Sequence, residues 1–156
     1  MQGVYRLSAT VSAVTTAKTL AYIETHATKP IEILRCAVTA QDEDTSEQMF
    51  VEFNRIATLG TPTATTEVPK PTEESSSAYG GVCKVNVTAS EPTYDDITDA
   101  IASGGANKLA GWEYVPLPEG RPIVAAADDV GLRLVDDLAN STDLTVASDR
   151  DWETPP

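Results

Sequence analysis

One histidine, two cysteines and several paired carboxylates are the residues with which this 156-residue chain could do chemistry. His26 is the sole imidazole, so any serine- or cysteine-based triad would have to use it. It stands between Thr25 and Ala27, ahead of Pro30, and the chain holds no Gly-x-Ser-x-Gly elbow. A surface histidine is expected there. Zinc needs three or four ligands at short spacing. Cys36, Cys83 and His26 are scattered with no Cys-x-x-Cys pair, so no zinc is expected. Each cysteine sits in an apolar, strand-like run and reads as a free, buried, inert thiol. Acidic clusters occur at Asp42-Glu43-Asp44, Asp95-Asp96 with Asp99, Asp128-Asp129 and Asp136-Asp137. Oxygen-rich loops can hold calcium, but none of these has the twelve-residue pattern with its glycine and closing glutamate, and solvated turns are expected. Two carboxylates on neighbouring strands could serve glycoside hydrolysis. A sugar site also wants aromatic platforms, and of the nine aromatics most fall in core-like runs. Trp112, followed by Glu113 and Tyr114, is the best platform candidate, with core or interface packing favoured over that role. No phosphate loop, dinucleotide fingerprint or basic aromatic patch is present. No catalytic residue, metal or cofactor is therefore assigned, and the chain is read as not an enzyme.

The elements that would position these residues are strands. Residues 4–13 are short, β-branched and threonine-rich, and 18–24 alternate around Leu20 and Tyr22. Pro30 opens a run in which Ile31 and Ile33 share one face and Leu34, Cys36 and Val38 the other. That change of phase predicts a bulge or a strand buried on both sides. In residues 47–58 the Met49, Val51 and Phe53 face is uniformly apolar and is taken as the core face. Residues 82–89 alternate cleanly, with Cys83, Val85 and Val87 on one side. Further strands are expected at 111–115, 122–126, 132–135 and 142–148. One short helix is expected near 94–102, capped by Thr93, with Ile97 and Ile101 four apart and Gly104-Gly105 ending it. Residues 60–81 form an insertion rich in Pro, Thr, Ser and Glu, where Pro62, Pro69 and Pro71 oppose regular ladders. Such a loop reads either as a floppy insertion or as an arm or clamp that orders on a neighbouring subunit. The predicted fold is all-β, an antiparallel β-sandwich or jelly-roll-like domain over residues 1–148 with about eight or nine strands, followed by a flexible tail at 149–156.

The composition fits one globular unit, with 41% hydrophobic and 22% charged residues. Twenty-four acids against eleven bases give a formal net charge of −13, which disfavours nucleic acid and anionic membrane and favours a basic partner surface. No signal peptide and no membrane-spanning run are read, so synthesis in a cytoplasm without export by the usual route is expected, and the glycosylation patterns Asn86-Val87-Thr88 and Asn140-Ser141-Thr142 carry little weight.

The order of features does suggest a family. A Thr-rich first strand leads to Lys18-Thr19-Leu20-Ala21-Tyr22-Ile23, then Pro30-Ile31-Glu32-Ile33-Leu34-Arg35, a polar turn, and Gln48-Met49-Phe50-Val51. Gly60-Thr61-Pro62-Thr63, Gly111-Trp112-Glu113-Tyr114 and Gly131-Leu132-Arg133-Leu134 follow. Over nearly its whole length the chain resembles small virion structural proteins of tailed bacteriophages, of the kind that decorate or cement the capsid. The resemblance implies a sandwich-like protein on the capsid exterior. It would bind the major capsid protein as a homo-oligomer, with a trimer favoured, and carry no catalytic residues. The residues expected to meet a partner are Trp112, Tyr114 and Tyr79 with the arm prolines Pro69 and Pro71. The competing reading is a receptor- or carbohydrate-binding module, which expects exposed aromatics near Trp112 or Tyr79 and a ligand cleft.

Overall fold

The structure is a computed structural model that describes residues 3–41, 45–72 and 79–152. The Asp42-Glu43-Asp44 cluster, residues 73–78 of the insertion and the tail from 153 lie outside the described residues. The long strands are β1 (Gly3–Val14), β2 (Lys18–Glu24), β3 (Ile31–Gln41), β4 (Gln48–Thr58), β7 (Val82–Ala89) and β13 (Thr142–Trp152). Shorter ones are β5 (Thr63–Glu67), β6 (Lys70–Pro71), β8 (Thr93–Tyr94), β9 (Ala102–Asn107), β10 (Trp112–Tyr114), β11 (Ile123–Val124) and β12 (Asp129–Leu134). They form two antiparallel sheets. Sheet A runs β10-β3-β13-β1-β6, with β11 also on β3, and sheet B runs β5-β7-β2-β12-β4-β8, with β9 also on β4. The first four strands alternate between the sheets, so the two faces close over one core. The chain is an all-β sandwich.

Alternation explains which side chains enter that core. Tyr5, Leu7 and Val11 of β1, Leu144 and Val146 of β13, and Met49, Val51 and Phe53 of β4 are buried, as are Cys83 and Val85 of β7. The predicted change of phase in β3 is a bulge. Arg35 pairs with Asp149 and Ile33 with Arg150, leaving Leu34 as the extra residue, so Ile31, Ile33, Cys36 and Val38 all reach the core.

Four expectations differ from the structure. The described strands number thirteen and not eight or nine, because short edge strands flank the long ones. The helix expected near 94–102 is a single 3-10 turn at Ile97–Asp99, capped by Asp96 and not by Thr93. The backbone on either side of that turn pairs with β4, through β8 and β9, and Gly104-Gly105 lies within β9. A helix that short has no nucleus of its own, and the open edge of β4 supplies better bonds. The insertion is not a structureless arm in its described part. β5, a Thr-rich run between Pro62 and Pro69, pairs with β7, and β6 pairs with Tyr5 and Arg6 of β1. Both are edge positions, where proline is tolerated. The last strand continues to Trp152, past the start of the expected tail, because β1 and β3 flank it on both sides. No helix is long and apolar enough to cross a membrane among the described residues.

Candidate functional site

The five residues expected to meet a partner fall at the two opposite edges of sheet A. Trp112 and Tyr114 lie on β10, paired with Val38 and Cys36 of β3. Trp112 is only 8% exposed, and its indole Nε1 would stand 3.3 Å from a Cβ at Gly104 of β9. It therefore bridges the two sheets as core. Tyr114 is half-buried against the same cluster, and burial raises its phenol pKa. Tyr79, Pro69 and Pro71 gather at the β1 edge. Tyr79 is 8% exposed with its ring 5.5 Å from that of Tyr5, Pro69 is buried, and Pro71 pairs with Tyr5. The exposed aromatic platform that a carbohydrate module requires is therefore not formed by Trp112 or Tyr79. Both rings bury apolar area within the chain.

What the two edges do display is aliphatic. Val68, beside Pro69, is 70% exposed, and Val115, Leu117 and Ile123 are 62%, 70% and 57% exposed beside Tyr114. Their signal in the sequence is proline. In Val68-Pro69 and Val115-Pro116-Leu117-Pro118 an apolar residue sits where ladder pairing is blocked, so it is carried on a loop. A hollow of about 310 Å³ opens beside β1, lined by Arg6, Leu7, Ser8, Glu67, Val68 and Lys70.

The densest polar chemistry lies on the outer face of sheet B, under the segment 91–100. Glu52 and Asn54 of β4 and Thr19 of β2 are fully buried there. Arg133 Nη2 donates to Glu52 Oε2 at 3.0 Å, and Asn54 Nδ2 donates to Glu52 Oε1 at 2.7 Å. The Arg133 guanidinium lies 4.4 Å over the Tyr94 ring, whose hydroxyl meets Thr19 Oγ1 at 2.9 Å. Thr19 N donates to Glu91 at 3.0 Å, so the cover is tied down at both Glu91 and Tyr94. Burial strongly raises the Tyr94 phenol pKa. A second inward ion pair joins Lys108 Nζ to Glu47 Oε2 at 3.1 Å and to Thr142 Oγ1 at 3.0 Å. The backbone N–H of Ala139, with help from Lys108, holds the Glu47 carboxyl below its usual range. Each of the two ion pairs joins different strands or loops, so they serve as ties.

The third polar region is a hollow of about 150 Å³ lined by Arg55, Ile56, Asp95, Asp128 and Asp129. Asp129 lies directly opposite Glu24 in the β12–β2 ladder, a like-charge cross-strand pair. Desolvation first, then Glu24 and Asp128, push its pKa from 3.8 to about 6. The raised value means that the folded state binds this proton more tightly than the unfolded chain does. That contribution to stability is complete below pH 3.8 and is lost as pH rises through about 6. At pH 7 the ionised Asp129 is a liability, so Asp129→Asn is expected to stabilise the protein. The full shift corresponds to about 3 kcal/mol, which solvent screening at this partly exposed site reduces to about 1 kcal/mol. Thermal denaturation at pH 7.5 should show the gain, and the same comparison at pH 3.5 should show almost none. An equal gain at both values would mean that the carboxylate charge is not its source.

His26 is half-buried, and its Nδ1 lies 3.1 Å from Thr28 Oγ1 within its own turn. Cys36 and Cys83 are free and buried, and Cys36 Sγ lies 3.9 Å from Ser148 Oγ. Among the described residues no three His, Cys, Asp or Glu side chains converge as a metal ion would require. No known protein-family profile matches the chain, no characterised protein resembles it significantly in sequence, and no solved structure resembles it significantly in fold.

Proposed function

We propose that the chain is a non-enzymatic structural protein of a tailed-bacteriophage virion that binds the major capsid lattice on the outside of the head and reinforces it. A homo-oligomer is the acting form, with a trimer favoured. The observation that supports this reading is the use to which the buried ionic groups are put. Glu52 with Arg133, and Glu47 with Lys108, each join separate strands or loops of the sandwich. β1, β13 and β3 are laddered together along most of their length, with the chain's first and last described strands side by side in the middle of sheet A. A load across such a sheet is shared by many backbone hydrogen bonds at once. The net charge of −13 keeps the surface off packaged DNA and suits a basic lattice partner.

The test uses heads of the encoding virus assembled without this chain. Purified protein should bind them saturably, in a fixed ratio to the major capsid protein, and should raise the temperature at which they rupture. Heads that take up none of it in co-sedimentation would overturn the reading.

A further inference from the structure

The geometry points to a self-association contact in which the Val115–Pro116–Leu117–Pro118 loop of one copy seats Leu117 in the hollow beside β1 of a second copy. The two surfaces lie at opposite ends of sheet A, so the contact is head-to-tail. This inference does not rest on the capsid reading.

The receiving side is an unfinished sheet edge. Thr72 N donates to Val4 O at 2.8 Å, so the even-numbered residues of β1 turn their backbone groups outward. β6 pairs only with Tyr5 and Arg6. Beyond it, the outward N–H and C=O groups of Ser8 and Thr10 meet no strand among the described residues. The stretch from Leu7 to Ser12 carries no charge and no proline, the usual devices that blunt an edge. The hollow beside it is lined by Arg6, Leu7, Ser8, Glu67, Val68 and Lys70, with Val68 as its exposed apolar side chain, since Leu7 is buried in the core. Arg6 and Lys70 are cross-strand neighbours; Arg6 is paired with Asp149 at 3.1 Å, which leaves Lys70 as the base available at this edge.

The entering side is rigid. β10 and β11 anchor the loop to β3 at both ends. Gly120 N donates to Leu117 O at 2.9 Å, Ile33 N donates to Pro122 O at 3.0 Å, and Arg121 is paired with Glu32 at 3.2 Å. Leu117 itself has φ −62 and ψ 151, the polyproline conformation that its flanking prolines favour. Displaying an exposed leucine in a fixed conformation lowers the ordering entropy of binding. Glu119, two residues on, is exposed and has no ion-pair partner among the described residues, and the same holds for Lys70. Seating Leu117 brings Glu119 towards Lys70. A protruding leucine meets the exposed Val68, and Glu119 meets Lys70, so the two surfaces are complementary in hydrophobicity and in sign. Because the two surfaces differ, the contact repeats, closing into a ring or continuing as a chain according to the angle between copies.

Absolute mass by light scattering over a concentration series provides the test. The native chain should associate reversibly. Leu117→Asp should weaken association about 100-fold, and Lys70→Glu or Glu119→Lys about tenfold each. All three positions are exposed, so circular dichroism and the melting temperature should be unchanged, which separates lost contact from lost fold. The exchanged pair Lys70→Glu with Glu119→Lys should associate like the native chain. A native chain that stays monomeric at every concentration overturns the inference. So does association that Leu117→Asp leaves intact, or an exchanged pair that fails to recover. Heads that still bind the Leu117→Asp monomer would leave the capsid reading standing while the association is lost. A chain that associates as described but binds no heads would do the reverse.

Discussion

Arg133→Met should destabilise the protein by about 3 kcal/mol, the lower end of what breaking a buried ion pair costs, since Arg133 is itself 30% exposed. The cause lies with its partner. Glu52 has no solvent exposure, and without the guanidinium its carboxylate keeps only the Asn54 amide at 2.7 Å. An uncompensated charge removed from water is expensive, whereas the pair as a whole need not be stabilising. Replacing both residues with methionine should therefore recover most of the loss. Asn54 would still be satisfied in that double variant, because its Nδ2 also donates to Asp95 O at 2.9 Å and its Oδ1 accepts from Arg55 N at 2.7 Å. Urea unfolding of the four proteins of this cycle would measure the effect. An Arg133→Met protein within 1 kcal/mol of the native one, on the scale of an exposed pair, would mean that water reaches Glu52.

That network was not legible in the sequence, and the reason is specific. The alternation in β4 identifies Met49, Val51 and Phe53 as core because they are apolar, and leaves Glu52 and Asn54 on the opposite face. Both are buried because residues 91–100, some forty positions away, fold back over the outer face of sheet B. Periodicity reports one covered face of a strand. A second cover made by a distant loop leaves no local trace. The same long-range pairing turned the expected helix into β8, a 3-10 turn and β9, since the edge of β4 was free to bind them. Where local rules suffice, the reading holds. β2 and β7 have the expected limits, and the phase change in β3 is a bulge, one of the two arrangements it allowed. At the edges of sheet A the exposed side chains are not the aromatics that the sequence suggested. The aromatics Trp112 and Tyr79 were large enough to be drawn into the core, and the proline-flanked aliphatics beside them were left outside.

Gly131→Ala is the second large effect, and its sign should depend on Tyr94. Gly131 lies in β12 between Tyr22 and Asn54, with a backbone conformation that any residue can adopt. Judged by chain entropy alone, alanine there should stabilise the protein by about 0.5 kcal/mol. The obstacle is the Tyr94 ring. A Cβ at Gly131 would stand 2.2 Å from the Tyr94 hydroxyl oxygen and 2.8 Å from its Cε1 and Cζ. The tyrosine cannot give way cheaply, because Thr19 holds its hydroxyl and Arg133 lies on its face. Alanine must therefore displace the ring and open the cover over Glu52, at an expected loss of about 2–4 kcal/mol. In a Tyr94→Ala background the clash is gone, and the same substitution should become neutral or slightly stabilising. A double-mutant cycle by chemical denaturation measures the coupling directly, and contact of this kind should give at least about 2 kcal/mol. An equal loss in both backgrounds would locate the constraint in the β12 backbone. Reversal of sign would establish that the glycine is there to admit the ring that roofs the ion pair.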